Sequence, residues 1–371
     1  MTIVPQNAAS EPSVILPGDD PASIARAVDR LRAGLPVAFP TETVYGLGAD
    51  ALSDLAVQRV YDLKGRPHHN PLIVHVLGAT EAQALVPRTG WPPIADALTK
   101  ALWPGPLTLV LPRQPGLCGR AAAQGPTIAL RAPDHPTARD LLRALGRPVV
   151  GPSANASGHV SPTTPSHVLA EFPRAGLLIL DGGPARAGIE STVLDLRTPS
   201  RPAILRPGVI TAPMIAAAAG LPDAGIARGP AATQADPTFN THNAPADPLP
   251  SPGMLLRHYA PRAPARLGTR REILHALAST PSAVALWLSP APPPPAPLSG
   301  SARPAHPEPL PPHPEAYAAR LYDALRAADA LSPALILIET PPTAGPTEHH
   351  TLVWMAVHDR LRRATTPDHG P

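Results

Sequence analysis

A chain of 371 residues, 43% of them hydrophobic, is longer than one core ordinarily supports, so two domains are the expectation. A net charge of +3 admits an anionic substrate such as a nucleotide but gives little support for a nucleic-acid footprint. One cysteine, Cys118, excludes an internal disulfide framework and a zinc site of clustered cysteines, and fits a reducing compartment. The first 17 residues have neither a basic start nor an apolar run, and no apolar stretch reaches membrane-spanning length, so a cytoplasmic protein with no membrane partner is expected.

In chain order, the apolar pattern predicts a strand over 35–40 and a helix over 53–63 with Ser53 or Asp54 as N-cap. The helix feeds a polar, Pro-interrupted loop, Lys64-Gly65-Arg66-Pro67-His68-His69-Asn70-Pro71, that runs into a β-branched strand over 72–76. A helix over 94–102, strands over 107–111 and 127–131, a helix over 136–145 and a strand over 148–150 come next. The turn Gly151-Pro152-Ser153-Ala154-Asn155, a capped helix over 161–172 and strands over 177–180, 192–196 and 203–205 complete a mixed α/β domain, residues 1–210. Residues 211–262 have linker composition, apart from a helix candidate over 213–219. A second, Rossmann-like α/β unit is expected over 263–371, with strands at 265–267, 283–288 and 334–338 and helices at 272–278, 315–331 and 352–363. It is interrupted at 290–314, where 12 of 25 residues are proline, a composition that predicts an exposed polyproline-like insertion.

The chain has two lysines, Lys64 and Lys100, among 31 basic residues, so a lysine at the mouth of a sheet points to a point charge that a guanidinium does not replace. Lys64 has no preceding glycine loop and no following Ser or Thr, which excludes a P-loop, and Gly46-Leu47-Gly48 lacks the third glycine of the dinucleotide fingerprint. Asn155 stands where a nucleophile elbow needs glycine, so Ser153 and Asn155 suit hydrogen bonding to a ligand oxygen better than attack on one. His68-His69 and His349-His350 have neither the i,i+4 spacing nor the carboxylate partners of metal ligands and read as solvated loop residues; no metal held by protein ligands is expected.

Four separated stretches resemble the threonylcarbamoyl-AMP synthase (YrdC-like) family: Pro40-Thr41-Glu42-Thr43-Val44-Tyr45-Gly46-Leu47-Gly48; Lys64-Gly65-Arg66-Pro67 through Asn70-Pro71-Leu72-Ile73-Val74-His75; Trp103-Pro104-Gly105-Pro106-Leu107-Thr108; and Pro152-Ser153-Ala154-Asn155-Ala156-Ser157-Gly158. Ser251-Pro252-Gly253-Met254, Arg257-His258-Tyr259-Ala260-Pro261 and Asp359-Arg360-Leu361 are similar to the longer, two-domain form. The resemblance implies a YrdC-like twisted mixed sheet domain joined by a long linker to the smaller domain. It implies that L-threonine, bicarbonate and ATP become threonylcarbamoyl-AMP and pyrophosphate for tRNA modification. Tyr259 matches a nucleotide-contacting position, and the resemblance favours 251–261 as a lid over the product, the alternative being a segment that only docks the second domain.

By the same resemblance Lys64, Arg66, Ser153 and Asn155 form the catalytic signature. Thr43, His75, Arg131, Gly151 and Ser191 surround threonine, with Arg131 on its carboxylate, while Arg66, Asn70, Thr127, Ser153, Ser161, Arg206 and Tyr259 surround ATP. Mg²⁺ arrives with ATP and no other cofactor is implied; tRNA and the downstream threonylcarbamoyl transferase are the further partners. Two other readings stand beside this one. A non-catalytic RNA-binding module of the same fold is disfavoured by only 3% aromatic residues, and a carbamoyl-transfer domain of a hydrogenase-maturation protein would need cysteine zinc fingers.

Overall fold

The computed structural model describes residues 11–222, 225–228, 258–280, 282–290 and 307–367. Asp20 caps the first helix by accepting from the Ala22 and Ser23 amides, and Pro21 supplies its preset first turn. This helix, α1 (Pro21–Arg32), buries Ile24, Ala27, Val28 and Leu31, a single face by their spacing. Together with β1 (Val14–Pro17) it precedes the first element expected from the sequence. The chain continues through β2 (Val37–Phe39), β3 (Gly46–Asp50), α2 (Asp54–Lys64), β4 (Ile73–His75), α3 (Ala79–Gln83), α4 (Pro93–Leu102), β5 (Leu107–Pro112), β6 (Thr127–Arg131), α5 (Pro136–Leu145) and β7 (Val149–Val150). It then forms α6 (Pro165–Glu171), β8 (Leu178–Asp181), β9 (Thr192–Asp195), β10 (Ala203–Arg206), α7 (Ala212–Ala219) and β11 (Ala227–Arg228).

These strands form one mixed sheet in the order β1-β8-β2-β3-β7-β4-β6-β5-β9-β10-β11. The order matters because β7, β4 and β6 lie side by side. In the parallel β4/β6 pair His75 is the register partner of Arg131, and in the antiparallel β4/β7 pair it opposes Val149. One apolar cluster holds α2, α4 and α7 side chains against strands that include β3, β4, β5 and β6; a second holds α1 and α5 side chains with Val37, Phe39, Val149, Leu178 and Leu180. Cys118 is buried in the first cluster, and burial pushes its thiol up to about 12.

Three sequence expectations change here. Lys64 is not in a loop: it is the last residue of α2, which Ser53 caps at the start and Gly65, at φ 59°, ends in the left-handed conformation. The helix expected over 161–172 begins only at Pro165, which supplies its first turn, and is capped by Thr164, whose hydroxyl accepts the His167 amide; Ser161 is buried ahead of it. The sheet does not finish by 210, since α7 places Ile215 and Ala216 in the first cluster and β11 extends the sheet beyond β10.

The chain forms two compact units, the second made of Gly158–Ser161, Ala187–Ile189 and Leu255–Pro371. It contains β12 (Ala265–Gly268), α8 (Arg270–Ser279), β13 (Ala283–Leu286), α9 (Pro314–Ala330), β14 (Leu335–Glu339) and α10 (Glu348–Ala364). Its strands are all parallel in the order β12-β14-β13, the small Rossmann-like sheet expected from the alternating pattern. Thr269 and Glu272 form a reciprocal capping box on α8, and Ile273 and Leu277 on that helix pack with Ala283, Ala285, Trp287 and Leu337. Most of the proline-rich insertion, 291–306, lies outside the described residues. Its end is not exposed coil: Leu310 is buried and pairs with Leu288, its amide donating to the Trp287 carbonyl at 2.7 Å.

Of the segment expected to act as a lid, 251–257 lie outside the described residues. Within the second unit the Tyr259 ring is buried, stacked 5.6 Å from Tyr322 and covered by the Arg360 guanidinium at 5.8 Å. His349 and His350 are not loop residues either, for both lie in the first turn of α10, and His349 Nε2 is 2.9 Å from a Glu315 carboxylate oxygen. None of the described helices is long and apolar enough to cross a membrane.

Candidate active site

The sheet unit collects its buried polar side chains at the ends of adjacent strands. His75, at the end of β4, is almost wholly buried, and its ring meets Phe39 edge-on with centroids 5.7 Å apart. Burial first, and the neighbouring Arg131 second, hold its imidazole well below the usual histidine range, so it is neutral. The Val149 backbone opposes that shift, yet neither ring nitrogen has a partner in hydrogen-bonding geometry.

Beside it Arg131 forms a buried ion pair with Glu42, at 2.7 Å from Nη2 to Oε2. Glu42 comes from the loop after β2 and also accepts the Asp134 amide at 3.1 Å. Nη2 is taken up by this ion pair, whereas Nε has no hydrogen-bond partner, so the guanidinium keeps that donor to offer even though its charge is paired. Thr43, in the same loop, shares a hydroxyl contact with Thr41 at 2.8 Å.

Gly151 closes this corner. Its amide donates to the Ile73 carbonyl at 2.9 Å, and a β-carbon there would stand 2.6 Å from His75 Nδ1 and 3.0 Å from Phe39. Only a hydrogen fits between the strand end and the imidazole. Gly151→Ala is accordingly expected to displace His75, costing about 1–3 kcal/mol of stability and slowing by roughly tenfold or more any chemistry that relies on the imidazole. Denaturant melts and initial-rate kinetics check this; unchanged kinetics would show that the imidazole can move without consequence.

A second group sits around the α2 C-terminus. Lys64 is buried, and its Nζ donates to the carbonyls of Ser153 and Asn155, both at 2.5 Å, while its own carbonyl accepts the Ser157 amide at 2.8 Å. The lysine is thus a strut for the 153–157 turn as well as a buried amine. Burial, then the Arg66 charge, push its pKa well below the ordinary lysine value. Arg66 is folded back on its own loop, Nε donating to the Asn70 carbonyl at 3.0 Å and Nη2 to Asn70 Oδ1 at 2.7 Å and the Pro71 carbonyl at 2.8 Å. Asn70 Nδ2 is left buried with no acceptor. Asn155 is buried and donates from Nδ2 to the Ala156 carbonyl at 2.7 Å; Ser153 pairs with Gly46 across the chain.

The third group is built on β5, β9 and β10. Ser191 Oγ shares a hydrogen bond with Thr108 Oγ1 at 2.8 Å and accepts from Arg206 Nη2 at 3.1 Å, while Arg206 Nε donates to the Ser191 carbonyl at 3.1 Å. Thr127 begins β6, opposite Pro112. Ser161 and Tyr259 fall in the second unit. Sequence reasoning gave no role to Glu42 or Thr108, although both stand inside the quoted motifs. The signal was available for Glu42: an acid among apolar and β-forming residues, on the way into a buried strand, needs a cationic partner.

A family model described as threonylcarbamoyl-AMP synthase, C-terminal domain, matches residues 210–366, and one described as telomere recombination matches residues 29–208. The threonylcarbamoyl-AMP synthase of Bacillus subtilis is 43% identical over 260 residues, which are 69% of this chain and 70% of that protein. The chain belongs to the threonylcarbamoyl-AMP synthase family. Its sequence match to the Pyrococcus abyssi synthase is 42% identical, spanning 63% of this chain and 64% of that protein. The crystal structure of P. abyssi Sua5 complexed with L-threonine superposes with a TM-score of 0.77 at 34% identity, covering 95% of this chain and 96% of that one. The synthase family is a catalytic one, and its two-domain form, not a free-standing RNA-binding module, is what the whole chain matches.

Proposed function

We propose that the chain condenses L-threonine, bicarbonate and ATP into threonylcarbamoyl-AMP with release of pyrophosphate. The observation that carries the reading is the buried corner of Arg131, Glu42, His75 and Gly151, in a chain whose relatives carry that name and include a protein solved with L-threonine. The guanidinium donor left on Arg131 suits the threonine carboxylate. The neutral His75 beside it can give or take a hydrogen bond without adding charge, which favours the uncharged amino group that attacks the bicarbonate carbon; the N–C bond forms as a C–O bond breaks, and one water leaves with the amine proton to give the carbamate.

Adenylate formation then brings a carbamate oxygen in line with the α-phosphorus; a P–O bond forms as the bond to the pyrophosphate oxygen breaks. The chain needs no covalent nucleophile for this. It needs donors around the polyphosphate, for which Arg66, Asn70, Ser153, Asn155 and Arg206 are the candidates, and magnesium enters with ATP as part of the substrate. Ser161, Thr127 and Tyr259 are assigned to the nucleotide and Thr43 and Ser191 to threonine on family resemblance. The product is taken to a tRNA-modifying threonylcarbamoyl transferase in the cytoplasm.

The test is pyrophosphate release from the purified full chain with ATP and bicarbonate, with and without threonine. Release that depends on threonine, with a threonine- and carbonate-bearing adenylate in the mass spectrum, is expected. Release without threonine, or none under any condition, overturns the reading.

A further inference from the structure

We propose that the second unit carries a binding site for a divalent transition cation of the zinc type, made by His313, Glu315 and His350 where the first turns of α9 and α10 meet. The imidazole and carboxylate ligand atoms of these three residues all lie within 4.8 Å of one another, the only such trio of His, Cys, Asp or Glu among the described residues. His313 is the N-cap residue of α9 and Glu315 is in its first turn; Thr347 caps α10 and places His349 and His350 in its first turn. The helices are joined one turn further along by the edge-to-face contact of Tyr317 and Trp354, with ring centroids 5.2 Å apart. The packing that fixes their relative position therefore fixes the three ligands too.

The local geometry is compatible with a shared cation. Glu315 Oε2 lies 2.9 Å from His313 Nδ1 and, although its side chain is 36% exposed, this oxygen is covered and takes no hydrogen bond of good geometry. A tetrahedral ion with bonds of about 2.0–2.1 Å holds its ligand atoms about 3.3–3.4 Å apart, so this pair has to open by about half an ångström to take the ion. The rings of His313 and His350 approach to 4.7 Å at 79°, converging on the same space.

The partners behind the trio also match a metal site. Thr347 Oγ1 meets His350 Nδ1 at 2.9 Å, which leaves Nε2 to bind. The other carboxylate oxygen of Glu315 is held by His349 Nε2 at 2.9 Å, orienting Oε2 toward His313. Two imidazoles and one carboxylate form a mixed nitrogen and oxygen set, which selects zinc-like ions over magnesium or calcium. Three protein ligands at a half-exposed surface leave a fourth position for water. The ion would tie the start of α9, where the chain leaves the proline-rich segment, to the start of α10.

The experiment uses the full chain stripped with a chelator and titrated with Co²⁺ by visible absorbance and with Zn²⁺ by calorimetry. One equivalent is expected to bind, with a tetrahedral cobalt spectrum and a raised Tm. The double variant His313→Ala/His350→Ala is expected to weaken that equivalent by about tenfold or more while its metal-free Tm and its pyrophosphate release stay at wild-type values. Glu315→Gln, which keeps the side-chain size, is expected to weaken it as well. No saturable equivalent in the wild type, or the same affinity in both variants as in the wild type, would show that other surface histidines take the ion and would overturn the site. Because pyrophosphate release is read separately, failure of the metal site and failure of the synthase reading are distinguishable.

Discussion

Lys64→Ala is expected to abolish threonine-dependent pyrophosphate release, by about a thousandfold or more, and at the same time to lower the stability of the sheet unit by about 3 kcal/mol. From the sequence alone Lys64 is a loop cation whose loss should leave the fold intact. Its burial and its two carbonyl acceptors change that expectation, because truncation removes the donor that serves Ser153 and Asn155 and leaves a void beside them. The two losses can be separated. Lys64→Met fills the same space without a donor, so it should recover part of the stability and none of the activity. Denaturant midpoints and single-turnover rates on both variants decide the matter; activity surviving in Lys64→Met would reduce the lysine to a strut.

Arg131→Lys is expected to raise the threonine KM by about 10- to 100-fold and to leave the ATP KM within about twofold. The lysine keeps a positive charge for Glu42, so the buried ion pair survives in form. What it loses is the planar fork, and with it Nε, the donor that the native pair leaves unused. Complete removal of the charge is a poorer test, since it would strand Glu42 as a buried anion at a cost of about 3–5 kcal/mol and confuse binding with stability. Should the ATP KM rise and the threonine KM hold, Arg131 belongs with the polyphosphate.

Much of the sheet was legible because its strands are short β-branched runs set off by Pro, Gly and Asn, and because helices such as α5 carry strong single-face patterns that end in a left-handed glycine. β3, Gly46–Asp50, was not: Gly-Leu-Gly-Ala-Asp has no β-branched residue, and it is a strand because β2 and β7 flank it. The site was legible as a set of residues and not as a set of pairings. Glu42 is 89 positions from Arg131 and Thr108 is 83 from Ser191, and no local period relates residues so far apart. The same holds for the His349-His350 pair: the carboxylate that meets His349 is Glu315, on the helix before it.

Cys118 gives the molecule an internal clock. It is the only sulfhydryl in the chain, it sits in the core of the sheet unit, and its protonated form is favoured far above neutral pH. An alkylating reagent reacts with the thiolate, so in the folded state it has neither access nor a nucleophile. Modification at one atom then counts the moments when the sheet unit opens and is blind to opening of the parallel three-stranded unit, which has no sulfhydryl of its own. Substrates that clamp the sheet unit slow that clock.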